Sequence, residues 1–198
     1  MNSYFKPKPM FSIITTVLNG EKSIEKTIKS VLKQKYKNFE YIIIDGGSKD
    51  NTMNIIKKYK NKISKVLSSK DRGIYDGFNK GMKLSSGSYI CFINSADEFF
   101  PNSLKIISNY CNKDSSLDFI FGGVKKHYGL LYGYNKKKIN WSWNFYSSHS
   151  TGFFIKSSSA KKVGYYNLKY KYSSDYDYFY RMIVKHKLKG ASTKKSEV

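Results

Sequence analysis

The strongest constraint in this sequence is an alternation. Across the first hundred residues, short β-branched runs take turns with stretches of helical spacing. Residues 11–17 and 39–45 read as strands, 63–67 as a weaker one, and 89–93 (Tyr-Ile-Cys-Phe-Ile) as a strand buried on both faces. Between them, Ile24, Ile28, Val31 and Leu32 mark a helix within 21–34. Met53, Ile55, Ile56 and Tyr59 mark a second, which Ser48 or Asp50 can cap, and Ile74, Phe78, Met82 and Leu84 a third over 73–84. Such alternation demands parallel strands joined by right-handed crossovers, hence an α/β fold with a mostly parallel central sheet flanked by helices. In open sheets of this kind the ligand crevice lies outside the carboxyl ends of the strands. Two runs turn abruptly oxygen-rich there: the second ends in Asp45, and the fourth runs into Asn94, Ser95, Asp97 and Glu98. Oxygen donors at a strand end suit a hard cation, Mg²⁺ or Mn²⁺, and such a cation suits a diphosphate.

The second half is less regular. Helices are expected at 103–110, 157–163 and 175–186, the last capped by Ser173 or Ser174, and strands at 118–122 and 151–155. The Tyr-, Gly- and Lys-rich stretch 125–144 reads as hairpin or loop. A length of 198 residues predicts one domain. Its regular half would occupy about 10–100 and a smaller, mixed half about 101–190, with tails at 1–9 and 190–198. With no run of 18 apolar residues and no apolar signal core, the expected location is cytoplasmic. Cys91 and Cys111 lack metal spacing and fit a reducing compartment. The net charge of +22 raises nucleic acid and anionic membrane as partners. Yet the basic residues are nearly all lysine, scattered singly and in pairs apart from Lys136-Lys137-Lys138, and no nucleic-acid-binding motif accompanies them, so no specific nucleic-acid partner is expected. Arginine occurs only at Arg72 and Arg181, where bidentate binding of phosphate or carboxylate is something lysine cannot supply.

Six segments in this order resemble a known family. They are Phe11-Ser-Ile-Ile-Thr-Thr with Asn19; Ile44-Asp-Gly-Gly-Ser-Lys-Asp-Asn-Thr52; Asp71-Arg-Gly-Ile-Tyr-Asp-Gly-Phe-Asn-Lys-Gly81; Gly87 to Asp97; His149; and Ser174-Asp-Tyr-Asp-Tyr-Phe-Tyr-Arg181. Over roughly residues 10–188 the chain resembles the inverting glycosyltransferases of family 2, which have the Rossmann-like GT-A fold, and looks most like bacterial members that build surface polysaccharides. The resemblance implies transfer of a sugar from a nucleotide-diphosphate sugar, a UDP-sugar being favoured, to a hydroxyl of a glycan or lipid-linked acceptor. It gives Asp45 the nucleotide base, with Thr15, Asn19 and Asp50 as secondary contacts. Arg72, Asp76, Asn79 and Asn94 fall near the ribose and diphosphate, although for Asp76 and Asn79 the polar face of a helix is an equal reading. Asp97 aligns with the final acid of the family's metal motif, here Asn94-Ser95-Ala96-Asp97, implying Mn²⁺ or Mg²⁺; Asn94 and Ala96 depart from the all-acid form. Asp175 matches the catalytic base, and Asp177, two residues on, belongs to another helix face. Arg181 either reaches the diphosphate or pairs with an acid. His149 and Trp141, with Trp143 and Tyr146, fall on the acceptor side. A lipid-linked acceptor would bring the lysine-rich surface to the inner face of an anionic membrane. The alternative, suggested by Ala96 and the short C-terminus, is a GT-A-like nucleotide-sugar-binding protein impaired in catalysis.

Overall fold

The structure is a computed structural model that describes residues 8, 10–127, 129–138 and 150–194. Strands β1 (Phe11–Val17), β2 (Phe39–Asp45), β3 (Lys65–Ser68) and β4 (Tyr89–Phe92) run parallel. Helices α1 (Ile24–Leu32), α2 (Thr52–Lys58) and α3 (Ile74–Leu84) connect them in turn. Then follow α4 (Ser103–Lys113), β5 (Phe119–Phe121), the hairpin strands β6 (Val124–Lys126) and β7 (Gly129–Leu131), β8 (Phe153–Lys156), α5 (Ser157–Val163), α6 (Ser174–Tyr180) and β9 (Gly190–Ser192). Seven strands make one sheet in the order β3-β2-β1-β4-β8-β5-β9. β8 is antiparallel to both β4 and β5, and β9 is parallel to β5.

β1 sits between β2 and β4 and is buried along its whole length. Its side chains alternate between two cores, as the pleat requires. Phe11, Ile13 and Val17 join Ile24, Ile28, Ile55 and Leu104 on one face, whereas Ile14 joins Ile42, Phe78, Phe92 and Phe153 on the other. Strands covered on both faces read as near-continuous apolar runs, which is why the first, second and fourth are visible in the sequence.

Beyond shifts of a few residues at element ends, as where α4 runs on to Lys113, two segments differ in kind from expectation. The segment 190–198 is expected as a tail, but Gly190–Ser192 pairs with β5 as an edge strand, and the buried Thr193 hydroxyl accepts the Gly123 N–H at 2.9 Å. Three small residues carry no periodicity, so the open edge of β5 decides their pairing. The last helix is regular only to Tyr180 and passes into one π-helical turn, Arg181–Lys185.

At the amino end of the parallel strands, away from the crevice, Glu40 is buried near the start of β2. It accepts from the Ser12 hydroxyl (2.6 Å), the Ser86 N–H and hydroxyl, the Gly87 N–H and the Lys65 ammonium (3.0 Å). Burial alone would raise its pKa, but the bonds from Ser12, Ser86 and Lys65 outweigh burial and hold it below the ordinary value. Because the folded-state pKa is depressed, its stabilisation is full above the unfolded carboxylate range, about 4.3, and is lost as pH falls through the folded value. Glu40→Gln should therefore lower unfolding stability by about 2–4 kcal/mol near neutral pH. In urea titrations the gap between variant and wild type should narrow below about pH 4; a gap independent of pH would contradict the assignment.

Candidate functional site

The carboxyl ends of β1, β2 and β4 and the amino end of α3 meet at one edge of the sheet, because a crossover helix that precedes a parallel strand begins at that edge. The loops there are tied to one another by hydrogen bonds. Asn19, at φ 50°, donates its N–H to the Ser48 hydroxyl (2.7 Å) and accepts the Lys49 N–H (2.9 Å) on its side chain. Asp50 accepts the Thr52 N–H and hydroxyl on one oxygen and the Glu21 N–H on the other (3.0 Å), fastening the start of α2 to the loop after β1. Thr16 donates to the side-chain oxygen of Asn94 (3.1 Å), whose amide reaches Ser150 (3.3 Å). Asn94 thus links the end of β1 to Ser150, while Asn19 and Asp50 hold loops together.

Packing corrects three residues singled out from the sequence and selects between the two roles of a fourth. Asp45 has no exposed surface: it accepts from the Gly47 and Ser48 N–H groups (3.2 Å each) and from the Ser68 hydroxyl (2.6 Å). A carboxylate so enclosed organises its turn and presents nothing to a base. Thr15 points to the opposite face of β1, fully buried, with its hydroxyl against that of Tyr41 at 3.0 Å. Asn79 is buried and clamps Tyr166, donating to its carbonyl (2.9 Å) and accepting its N–H (2.8 Å). Arg181 bonds Asp177 (2.9 Å) and the carbonyls of Val163 and Tyr165 (2.8 Å), and its guanidinium lies 5.2 Å from the centre of the Tyr178 ring. Of its two expected roles, the acid pair is the one formed.

Asp76 bonds the Arg72 N–H (3.2 Å) and Lys80 (3.5 Å). The Arg72 side chain is exposed and makes no hydrogen bond with the described residues, so its fork is open to an anion. Gly73 begins α3 at φ 109°, a conformation that favours glycine, with open space where a β-carbon would stand. In the first turn of α3, Tyr75 lies beside Asp175. Burial, and after it the charge of Asp175, push the Tyr75 phenol up to about 12. Asp175 is half-buried at the start of α6, its charge felt by the Tyr75 phenol, which donates to the Tyr172 carbonyl at 3.2 Å, while Asp177 turns away to Arg181. In the sequence Tyr75 resembles any apolar helix position, and only its neighbours in space, Tyr166 stacked on its ring and Asp175 from the start of α6, distinguish it. Asp71 belongs to the third motif, which assigns it no task; its carboxylate lies against Gly46, just beyond the end of β2.

Asp97 follows β4, half-buried, with one oxygen accepting the Thr151 hydroxyl. Among the described residues no three His, Cys, Asp or Glu side chains cluster as a metal centre. One carboxylate, on a turn in which the Asp97 N–H bonds the Asn94 carbonyl at 3.0 Å, fits only a cation that takes most of its ligands from a diphosphate and water. Next to Asp97 opens a cleft of about 430 Å³, lined by Ala96, Phe100, Ile106, Val124, Lys125 and Thr151 among others. His149, Trp141, Trp143 and Tyr146 lie outside the described residues. No helix among the described residues is long and apolar enough to cross a membrane.

Comparison with known proteins fits this geometry. The family model Glycosyl transferase family 2 matches residues 12–178. An uncharacterised glycosyltransferase of Rickettsia typhi is 31% identical over 188 residues, covering 88% of this chain and 59% of its own length. A PGL/p-HBAD biosynthesis glycosyltransferase of Mycobacterium bovis is 25% identical, covering 86% of this chain and 68% of its own. The chain thus spans only about three-fifths of the rickettsial relative. Two solved structures share the fold. S. aureus TarS 1-349 in complex with UDP has a TM-score of 0.76 at 19% identity, covering 93% of this chain and 58% of its own. The mannosyltransferase PcManGT from Pyrobaculum calidifontis, in complex with GDP-Man and Mn²⁺, has 0.75 at 12% identity, covering 95% and 55%. The mostly parallel sheet with flanking helices is the GT-A fold that the motifs implied, and the chain belongs to glycosyl transferase family 2.

Proposed function

We propose that this protein transfers a sugar from a nucleoside-diphosphate sugar, a UDP-sugar by preference, to a hydroxyl of a glycan or lipid-linked acceptor, with inversion at the anomeric carbon. The observation that carries this reading is the approach of Asp175 to Tyr75 at the amino end of α3, on the sheet edge where Asp97 follows β4. Family membership supports it, as do structural neighbours solved with UDP, UDP-GlcNAc and GDP-Man. Asp175 takes the proton of the acceptor hydroxyl as that oxygen bonds to the anomeric carbon. The bond from that carbon to the phosphate oxygen breaks on the opposite side, and the nucleoside diphosphate leaves with the electron pair. The open guanidinium of Arg72 binds the departing diphosphate, a role for which its bidentate geometry is suited. Asp97, with Asn94 beside it, would hold Mn²⁺ or Mg²⁺, which when bound supplies positive charge against the diphosphate. The cleft beside Asp97 receives the acceptor, its apolar wall of Phe100, Ile106 and Val124 suiting a lipid-linked or sugar face.

Calorimetric titration with UDP should give binding that depends on Mn²⁺ or Mg²⁺ and is abolished by EDTA. Asp97→Ala should weaken it by at least about tenfold, the scale of one lost charged contact. UDP affinity that is indifferent to both metal and Asp97→Ala would remove the metal from this proposal. Asp175→Asn should lower transfer or donor hydrolysis by about 10²–10⁴-fold while UDP affinity stays within about twofold. A wild-type protein that binds UDP but turns over no donor sugar would instead mark a nucleotide-sugar-binding protein.

A further inference from the structure

We infer that Asp71, rather than the strand-end Asp45, is the carboxylate that reads the donor's nucleobase by accepting the ring N–H of a uracil-type base; this rests on the donor-site reading proposed above. Asp45 is enclosed, and three donors already converge on its two oxygens. The two glycines that follow it serve different ends. Gly47, at φ 89°, stands where the backbone favours glycine. Gly46 has no such backbone requirement, since its φ lies outside the left-handed region. A β-carbon on Gly46 would instead stand 2.7 Å from Asp71 Oδ2, and its three nearest neighbours would all be atoms of the Asp71 carboxylate. Asp71 therefore fills the space that a side chain at position 46 would occupy, immediately beyond β2.

The second wall of this slot is another glycine. A β-carbon on Gly77 of α3 would lie 3.7 Å from the same oxygen and 2.8 Å from the Thr16 methyl. Within the slot the two carboxylate oxygens differ. Oδ1 accepts the Gly73 N–H at 3.0 Å, while Oδ2 accepts no hydrogen bond from the described residues, and the residue is partly exposed. One oxygen is anchored and the other is open to the crevice. A carboxylate repels phosphate, so its ligand is a donor N–H or O–H at the end of the nucleotide away from the diphosphate. The sheet supplies that separation: Asp71 rests on the end of β2 and Asp97 follows β4, with β1 between them, two strand spacings or about 10 Å.

The test compares UDP with 3-methyl-UDP, which lacks the imide N–H, on wild type, D71A and G46D/D71A, with thermal melting as the check on folding. Wild type should bind UDP about 10- to 100-fold more tightly than 3-methyl-UDP, the range for one charge-assisted hydrogen bond. D71A should lose that preference through weaker UDP binding, and G46D/D71A should regain it, because the carboxylate then enters the same slot from the neighbouring loop. Equal affinity of wild type for the two nucleotides overturns the inference, as does a D71A variant that keeps the preference. A double variant that melts like wild type but regains nothing overturns the shared slot. A wild type that binds no UDP at all defeats the donor-site reading itself, an outcome distinct from the other three.

Discussion

The crevice is organised by one buried charge. Asp45 ends the second strand with its carboxylate enclosed, held by two backbone N–H groups of its own turn and by the hydroxyl of Ser68 from the next strand. A carboxylate removed from water is tolerated only when its lone pairs are filled. Here the filling donors fix the path of Gly46, Gly47 and Ser48. Ser48 then receives the Asn19 N–H, so the loop after β1 is set by the turn after β2. The open face of Gly46 in turn gives Asp71 its place. An acid at a strand end is easily taken for a ligand contact; in this molecule its carboxylate is spent on the turn that follows it.

The two arginines divide along similar lines. Arg181 is engaged by Asp177 and two carbonyls and locks α6 against the end of α5. Arg72 is exposed, on the loop before α3. Of two residues with the same fork geometry, the one whose fork is open is suited to a diphosphate, and the other stabilises the helix that carries Asp175. The pair Asp175 and Asp177 repeats the pattern two positions apart: one side chain goes to Arg181, the other to Tyr75. The helical repeat separates residues i and i+2 by about 200°, so the two acids at one helix start face different neighbours.

The surroundings of Asp97 show how the two halves of the chain join. β8 enters antiparallel beside β4, and the residues just before it supply Ser150 to Asn94 and Thr151 to Asp97. The end of the parallel sheet is thereby braced from the less regular half. The cleft beside it borrows walls from α4, the Gly122–Lys125 segment and the approach to β8. In the proposed reaction Asp97 is the boundary between a nucleotide-facing edge and an acceptor-facing cleft, where a cation would meet both the leaving group and the sugar it releases.

Patterning along the chain was enough to specify the parallel half of the sheet. Strands covered on both faces must be apolar throughout and crossover helices must be amphipathic, so period and composition fix their place within a residue or two, as at Phe11–Val17 and Phe39–Asp45. The order of motifs also pointed to Asp97, which follows an apolar strand, and to Asp175, which opens a helix of recognisable spacing. Which polar residues stay open was settled by packing instead. Asp45, Asp50, Asn79 and Arg181 are as polar as Asp71 and Arg72, and nothing local distinguishes them. The difference lies in partners, near ones for Asp45 and Asp50 but also remote ones: Tyr166, 87 residues away, occupies Asn79, and Tyr165, 16 residues away, helps occupy Arg181. β9 belongs with them, since its three small residues pair only because β5 offers a free edge. Hydrogen-bond saturation is a property of three-dimensional neighbours, and a sequence shows only the capacity for it.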